Sequence, residues 1–281
     1  MHRLFFIIFI ALFIASCGPS EDEKASKYLT AAEVSFLQED FNKAKLQLDS
    51  IKLLHPKAFQ TRKAGNRLML SIEQTEQVRS LANLDSMELA KIEEFEQIKK
   101  NYYLDKNEEY QEIGNYIIQQ QRIESNFNKT FLRFQVDELG KMSMTSIYSG
   151  AKALGLKAIK VSTADGLFAE TPESTDTFAS TNLGITSEKA DFTNGNDGGV
   201  FSFLLNNVDK KITITFIGDR NHSYAMSSIE KKAVSEVSKL AVVLYSINEL
   251  QKAKQEANRK LKFIEDRLEK TDSIANSTTQ E

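Results

Sequence analysis

Few side chains of this sequence could support nucleophilic or metal-dependent chemistry. The 281 residues contain one cysteine, Cys17, and three histidines, His2, His55 and His222. A zinc site needs several such ligands held together, and no clustered carboxylates lie near the histidines to supply them. The motifs of serine hydrolases, zinc peptidases and phosphate-binding loops are absent from the sequence. We therefore predict no catalytic residue, no metal and no cofactor.

Carboxylates are the remaining route to catalysis. Two acids that the fold brings together leave no local signature, and Asp137, Glu138 and Asp191, expected at strand edges, are the candidates. Acids at such positions are mostly solvated, so a carboxylate-based hydrolase is the least supported alternative. The segment Asn194-Gly195-Asn196-Asp197-Gly198 superficially resembles a calcium loop. It lacks the closing glutamate and is predicted to be a turn.

The first residues have the layout of a secretion signal: a basic residue, an apolar run over residues 4–13, and then small residues. The order Ile14-Ala15-Ser16-Cys17 resembles the lipobox of bacterial lipoproteins. This resemblance implies that residues 1–16 are a signal peptide and that Cys17 carries a lipid. The mature chain would then be held at a membrane by its lipid rather than by a transmembrane helix.

The residues behind Cys17 are small and charged, and residues 17–26 are predicted to be a lipidated tether. The acids Glu21-Asp22-Glu23 resemble the signal that sends Bacteroidetes lipoproteins to the outer leaflet of the outer membrane. Together these features predict a location in the cell envelope, at the outer membrane, and leave open whether the protein faces the periplasm or the surface.

Charge excludes one class of partner. The sequence has 36 basic and 39 acidic residues, a formal net charge of −3, and no concentrated basic patch. Binding to a nucleic acid depends on such a patch, because it releases counterions from the phosphates. No nucleic-acid partner is therefore expected. A lipid on Cys17 would also leave no thiol for a disulfide.

Residues 27–125 are predicted to be helical, beginning with a hairpin that ends at Pro56. Apolar and small residues form one face on each of its helices: Tyr28, Ala31, Ala32 and Phe36, then Ala44, Leu48 and Ile51. These residues resemble one tetratricopeptide repeat, which implies a surface that binds peptides or other helices. The family's usual aromatic is replaced by Ser35, with Phe36 beside it. An ordinary helical hairpin is the alternative.

From Pro56 to about Asn101 the pattern predicts one long helix or two nearly collinear ones. Asn107 is predicted to cap a further helix that ends near Ser125. We predict four weak partner-binding residues, two on the hairpin and two between helices: Tyr28, Phe36, Tyr102 and Tyr103.

In residues 126–226 apolar and polar residues alternate with a period of two. This pattern predicts an antiparallel β domain of six to eight strands, a sandwich or open barrel. The predicted strands cover 132–136, 141–148, 156–162, 200–205, 211–217 and 223–225, with a long loop or edge hairpin near 165–185. We expect four aromatic residues to fill the domain's core rather than line a ligand groove: Tyr148, Phe168, Phe178 and Tyr224.

A capping box, Ser227 to Glu230, is predicted to open a long helix over residues 227–270. Its a and d positions form a seam that is apolar except at Lys254: Leu240, Val243, Ile247, Leu250, Lys254, Ala257, Leu261, Ile264 and Leu268. The seam is expected to pack on the chain's own helices near residues 70–123, and a homodimeric coiled coil is the alternative. Residues 271–281 are predicted to be a disordered tail.

The sequence therefore predicts an α+β protein with long helices flanking an antiparallel β domain. We expect an envelope lipoprotein that acts as a non-catalytic binding or scaffolding component and docks a protein partner on its helical hairpin. The alternative is a β domain that binds an extracellular glycan or peptide.

Overall fold

The computed structural model describes residues 19–278, with side chains up to Ser273. The predicted signal peptide and the predicted lipidation at Cys17 lie outside the described residues. The fold is α+β, as predicted, and the described residues form five helices and two antiparallel sheets. None of the helices within residues 19–278 has the length and apolarity needed to cross a membrane.

The described chain forms two compact units. The first contains residues 19–83 and 254–278, and the second contains residues 84–253. The helices are α1 (Glu21–Leu37), α2 (Phe41–Leu54), α3 (Phe59–Ile98), α4 (Val200–Asn206) and α5 (Ser228–Thr278). Helices α3 and α5 contribute residues to both units.

Helix α1 begins inside the predicted tether. The Ser20 hydroxyl accepts a hydrogen bond from the Glu23 amide at 3.1 Å, and the Glu23 carboxylate accepts one from the Ser20 amide at 2.7 Å. This reciprocal capping box, with acids in the first turn, stabilises the helix start. The prediction that residues 17–26 form a tether is therefore wrong from Glu21 onward.

Helices α1 and α2 form the predicted hairpin. Ala32 and Ala44 are fully buried between them, and these small side chains let the helices approach closely. Glu39 adopts a positive φ of 62° after α1, and the Asp40 carboxylate accepts a hydrogen bond from the Lys43 amide to cap α2. The prediction of a helical hairpin is confirmed.

Helix α3 is one continuous helix of 40 residues. Within the first unit it pairs with α5, since the Arg67 guanidinium donates to both Asp272 carboxylate oxygens, at 2.6 and 3.1 Å. The seam residues Ala257 and Ile264 of α5 are buried within the single chain. Helix α5 ends at Thr278 rather than near residue 270, so the predicted disordered tail is wrong for residues 271–278.

The second unit holds ten strands, and the eight that lie within residues 126–226 agree with the six to eight predicted there. The strands are β1 (Tyr102–Asp105), β2 (Asn115–Ile118), β3 (Phe131–Asp137), β4 (Met142–Gly150), β5 (Ala158–Thr163), β6 (Phe168–Glu170), β7 (Thr177–Asn182), β8 (Ile185–Thr193), β9 (Ile212–Ile217) and β10 (His222–Ala225). One sheet has the order β1-β2-β3-β4-β8-β7 and the other the order β10-β9-β5-β6, and neither closes into a barrel.

Five predicted strands are confirmed as β3, β4, β5, β9 and β10, and the alternative of an edge hairpin is confirmed by β7 and β8. Two predictions are wrong, a helix over residues 107–125 and a strand over residues 200–205. The first segment instead contains β2 followed by two short 3-10 turns, so the helical region ends at Asn101. Pairing of Tyr116 with both β1 and β3 outweighs the local helical spacing.

The strand expected over residues 200–205 is helix α4. The buried Asp197 carboxylate accepts a hydrogen bond from the Phe201 amide at 2.7 Å and supports the helix start. A short apolar run such as this one fits a buried helix as well as a buried strand, and its periodicity cannot separate the two.

Glu230 connects three elements of the second unit. One carboxylate oxygen accepts hydrogen bonds from the Leu132 amide and the Tyr224 hydroxyl, each at 2.8 Å. The other accepts from the amide and hydroxyl of Ser227, at 2.8 and 2.7 Å, which confirms the predicted capping box. The carboxylate is thus buried with both oxygens satisfied, and it joins β3, β10 and the start of α5.

Candidate functional site

Two of the predicted partner-binding residues, Tyr28 and Phe36, lie on helix α1. Both are half-buried against the core of the first unit. The Tyr28 ring centroid is 5.7 Å from that of His55, and the Phe36 centroid is 6.0 Å from that of Phe41. Their contacts hold the hairpin together.

The predicted surface pair Tyr102 and Tyr103 is divided between the two faces of β1, because successive side chains of a strand alternate. Tyr102 is only 7% exposed, and its hydroxyl donates to the Glu236 carbonyl at 2.9 Å. Burial raises the pKa of Tyr102 to about 12. Tyr103 is half-buried, with the Arg122 guanidinium 4.2 Å from its ring centroid. The prediction of a surface contact is therefore wrong for Tyr102.

The three candidate carboxylates are each engaged in local structure. Asp137 accepts hydrogen bonds from the amides of Leu139 and Lys141, and Asp191 accepts one from the Thr145 hydroxyl. Glu138 accepts from the Gly114 amide at 2.7 Å and from the Lys106 ammonium at 2.9 Å, and these two contacts lower its pKa. Across residues 19–278, no group of three or more His, Cys, Asp or Glu side chains could hold a metal ion.

The four aromatic residues predicted to fill the core of the β domain divide into two pairs. Tyr148 is buried and Tyr224 is nearly so, as expected for core residues. Phe168 and Phe178 are 59% and 58% exposed, so the prediction that they fill the core is wrong. Both lie on strands at the edge of a sheet, β6 and β7, where fewer neighbours cover a side chain.

A groove of about 370 Å³ lies on the face of the six-stranded sheet that is turned away from the core. Its floor is built from cross-strand rows. Phe131, Ile147 and Lys189 are register partners across β3, β4 and β8, and Ser149, Ser187 and Ser180 are partners across β4, β8 and β7. Side chains that are partners in register point to the same face of a sheet, so these rows form one surface.

Two loop segments form the walls of the groove. Ile123 and Phe127 stand on the segment that precedes β3, and Leu183 and Ile185 stand at the tip of the β7–β8 hairpin. All four side chains are substantially exposed, with Phe127 at 77% and Leu183 at 96%. An apolar surface of this kind around a cavity is typical of a binding site.

The charged side chains that line the groove are positive. Among the residues whose side chains the structure describes, two lysines line it, Lys129 and Lys189, and no acid does. Lys129 donates to the Ser125 carbonyl at 2.8 Å. The Lys189 ammonium has no hydrogen-bonding or ion-pair partner in the part of the chain that the structure describes. The groove therefore favours a ligand that combines apolar groups with negative charge.

The hairpin tip has an unfavourable backbone conformation. Leu183 has a φ of 49° and Gly184 a φ of 78°, so both central residues of the two-residue turn are left-handed. Asparagine followed by glycine is the usual sequence for such a turn. A leucine there costs roughly 1–2 kcal/mol, and strain of this kind tends to persist where it serves a function.

Sequence reasoning missed the groove because β8 does not place its apolar residues on one face. Its core face includes Glu188, whose buried carboxylate accepts hydrogen bonds from the amides of Leu154 and Leu156, while Ile185 is exposed on the opposite face. A signal was present at Leu183-Gly184, where a two-residue turn joins two strands and has a leucine in place of a polar residue.

The helical hairpin of the first unit also exposes apolar side chains. Those on α1 and α2 are Val34, Leu37, Leu46, Leu53 and Leu54. Leu46 and Leu53 lie seven residues apart on α2, on the face opposite the buried Ala44, Leu48 and Ile51. Helix α2 is thus apolar on two sides.

Comparison with protein-family models, curated protein sequences and solved structures finds no match to this chain.

Proposed function

We propose that this protein is a lipid-anchored, non-catalytic binding component of the cell envelope, and that the groove on the six-stranded sheet is its ligand site. The observation that carries the proposal is the exposure of Phe127 and Leu183 on opposite walls of a cavity of about 370 Å³. Leaving large apolar side chains in water costs free energy that a bound ligand would recover, at roughly 25 cal/mol per Å² buried.

Polypeptide is the ligand class that best fits the groove. The walls offer apolar contacts, the floor offers serine hydroxyls, and Lys189 offers a positive charge that no described residue pairs with. A segment with apolar side chains and a carboxylate would satisfy all three. A neutral glycan would leave the lysine without a partner and would place sugar hydroxyls against apolar walls. These features favour the β domain as the recognition unit.

Selection from a library of random nine-residue peptides displayed on phage tests this function. We expect wild-type protein to enrich a family of sequences, and Phe127→Ala to lose binding to the enriched peptides. Phe168→Ala is the matched control, since Phe168 is similarly exposed but lies outside the groove. Failure to enrich any sequence, or equal loss in the two variants, would contradict the groove as the ligand site.

Membrane attachment requires its own test. The lipobox-like order Ile14-Ala15-Ser16-Cys17 supports lipidation at Cys17. Metabolic labelling with a fatty acid should mark the wild-type protein and leave Cys17→Ala unlabelled. Labelling that survives the substitution would exclude Cys17 as the anchor. Protease treatment of whole cells would then show which face of the envelope the protein occupies.

A second candidate surface is the helical hairpin, which the exposed stripe of Leu46 and Leu53 favours. Such a stripe could dock another helix through side-chain packing. Pull-downs from envelope extract with the double variant Leu46→Ser, Leu53→Ser should lose partners that the wild type retains. Leu89→Ser, an exposed leucine outside the hairpin, is the control. Identical partner sets for the wild type and the double variant would refute docking on the hairpin.

A further inference from the structure

Strand β7 is an open edge of the six-stranded sheet. Among residues 19–278 it pairs with β8 on one side only, and all six of its residues, Thr177 to Asn182, are exposed. The strand contains no charged residue and no proline. Natural proteins usually protect long sheet edges with charges, prolines or short strands, because an unprotected edge can pair with another chain.

The other sheet edges are protected in these ways. Strand β1 has four residues and carries Asp105, which pairs with Arg133. Strand β6 has three residues and carries Glu170, and the Lys160 ammonium lies 4.2 Å from the ring centroid of its Phe168. Strand β10 has four residues and its Tyr224 hydroxyl is bound to Glu230. Strand β7 is thus the longest of the four edge strands and has none of these protections.

The pairing register identifies the backbone groups of β7 that face the open edge. The Asp191 amide donates to the Asp176 carbonyl, and the same register places Asn182 opposite Ile185 beside the turn. In an antiparallel pair every second residue bonds to the partner strand. The even-numbered residues of β7 therefore face β8, and the amides and carbonyls of Thr177, Ala179 and Thr181 point outward.

The open edge is continuous with the groove. Ser180 and Asn182 of β7 line it, and Phe178 is the register partner of Lys189 on its floor. A strand added beside β7 would place every second side chain on the groove face, next to these three residues. The added strand would then contribute backbone hydrogen bonds at the edge and side-chain contacts in the groove.

The charge of this surface identifies the kind of strand. Lys129 and Lys189 line the groove, no acid of the described residues does, and β7 itself is uncharged. Strand β7 of a second copy would contribute no carboxylate of its own to these lysines. A six-residue edge pair would also bury less than the roughly 1,000 Å² expected of a stable interface. An acidic partner segment meets the charge requirement.

We infer that β7 accepts an added β-strand from a partner polypeptide, one that is extended, apolar at alternate positions and acidic. The inference rests on the proposed function of the groove and names the partner's conformation and chemistry. The outward amides and carbonyls of Thr177, Ala179 and Thr181 hold the partner's backbone, and the groove and its lysines select its side chains.

Backbone methylation of a bound peptide tests the inference. The probe is the tightest nine-residue peptide from the phage selection, made in two versions that carry N-methyl groups on alternate amides in opposite phase. Methyl groups in the phase that faces β7 should weaken binding about tenfold or more, because several hydrogen bonds are lost. The opposite phase should bind like the parent peptide. Equal affinities for the two versions would overturn strand addition and leave groove binding intact.

A substitution on the protein gives the reciprocal test. Ala179→Pro removes an outward amide and should abolish peptide binding, while Ala179→Thr keeps the amide and should bind normally. Circular dichroism confirms that both variants are folded. Peptide binding retained by Ala179→Pro but lost in Phe127→Ala would overturn strand addition alone. Loss in Ala179→Pro with retention in Phe127→Ala would instead contradict the groove. A wild-type dimer in sedimentation velocity that Ala179→Pro dissociates would overturn the peptide partner in favour of a second copy.

Discussion

The helical hairpin of the first unit and the β7 edge of the second unit both expose apolar side chains, but they offer different kinds of contact. On the hairpin, the backbone of Leu46 and Leu53 lies within a helix, so a partner could gain only side-chain packing. At β7, outward backbone groups lie beside a cavity and an unpaired lysine.

This difference teaches that exposed apolar area alone is a weak guide to a binding site. Single exposed leucines are common on protein surfaces, whereas an unprotected six-residue edge strand is unusual. The combination of unpaired backbone, cavity and charge favours the β domain over the hairpin. The following predictions test that contrast, beginning with the residues that support each surface.

The largest effect is expected from Glu230→Ala. The substitution leaves the buried Leu132 amide, the Tyr224 hydroxyl and the Ser227 amide without an acceptor. With roughly 1–3 kcal/mol for the buried Leu132 amide and less for the two partly buried groups, the free energy of unfolding should fall by about 3 kcal/mol. Urea denaturation measures the free energy of unfolding, and Glu236→Gln on the same helix is the control. A loss equal to that of the control would contradict the role of Glu230 in supporting the sheet.

Leu48→Ala tests the first unit in the same way. Leu48 is buried between the hairpin helices and near Gly65 of α3, and its truncation leaves a cavity. We expect about 2–4 kcal/mol of destabilisation, typical of such substitutions in a packed core. Binding of the selected peptide by the folded fraction should be unchanged. Weaker binding by fully folded Leu48→Ala protein would break the assignment of recognition to the β domain alone.

Lys189→Glu addresses the charge of the groove. Replacing the cation with an anion should weaken binding of an acidic peptide about tenfold and reduce the salt dependence of the affinity. Lys160→Glu, on the other sheet, is the control of equal charge change. Isothermal titration calorimetry at two ionic strengths measures the peptide affinity of both variants. An unchanged affinity for Lys189→Glu would remove the charge argument for an acidic partner.

Leu183→Asn separates stability from binding at the hairpin tip. Asparagine tolerates the left-handed conformation better, so the substitution should raise the free energy of unfolding by about 1 kcal/mol. It also removes an apolar wall of the groove and should weaken peptide binding. A thermal melt and a binding titration on the same sample test both effects. Stabilisation without loss of binding would show that the leucine does not contact the ligand.

The smallest effect concerns pH. The Gly114 amide and Lys106 ammonium lower the pKa of Glu138 below the ordinary value of 4.5. The stabilisation from this carboxylate is therefore present above pH 4.5 and is lost as the pH falls through the lowered pKa. In Glu138→Gln we expect a shallower loss of stability below pH 4.5, by less than about 1 kcal/mol, since the pair is partly exposed. Acid unfolding monitored by circular dichroism measures the difference. Parallel unfolding curves for the wild type and Glu138→Gln would contradict the stabilising role of the Glu138 carboxylate.

Much of the architecture could be predicted because the signals are local. Helical spacing located the hairpin and the long helix α3, a period of two located five strands, and the Ser227–Glu230 box located the start of α5. The Ser20–Glu23 box is an equally local signal, but the small and charged residues around it also predict a tether. Local chemistry sufficed wherever the stabilising contacts lie a few residues apart.

The remaining features depend on contacts between distant residues. The segment 115–118 forms a strand because β1 and β3 flank it, and the apolar run after Gly199 is a helix packed into the core of the second unit. The groove likewise exists only because pairing in register brings Phe131, Ile147 and Lys189 into one row. The sequence by itself determined the α+β class, the hairpin and the lipobox-like start, since each depends on neighbouring residues. Only the tertiary structure decided which strand is the open edge and which side chains meet there, because strand order and register depend on pairing between residues far apart in the chain.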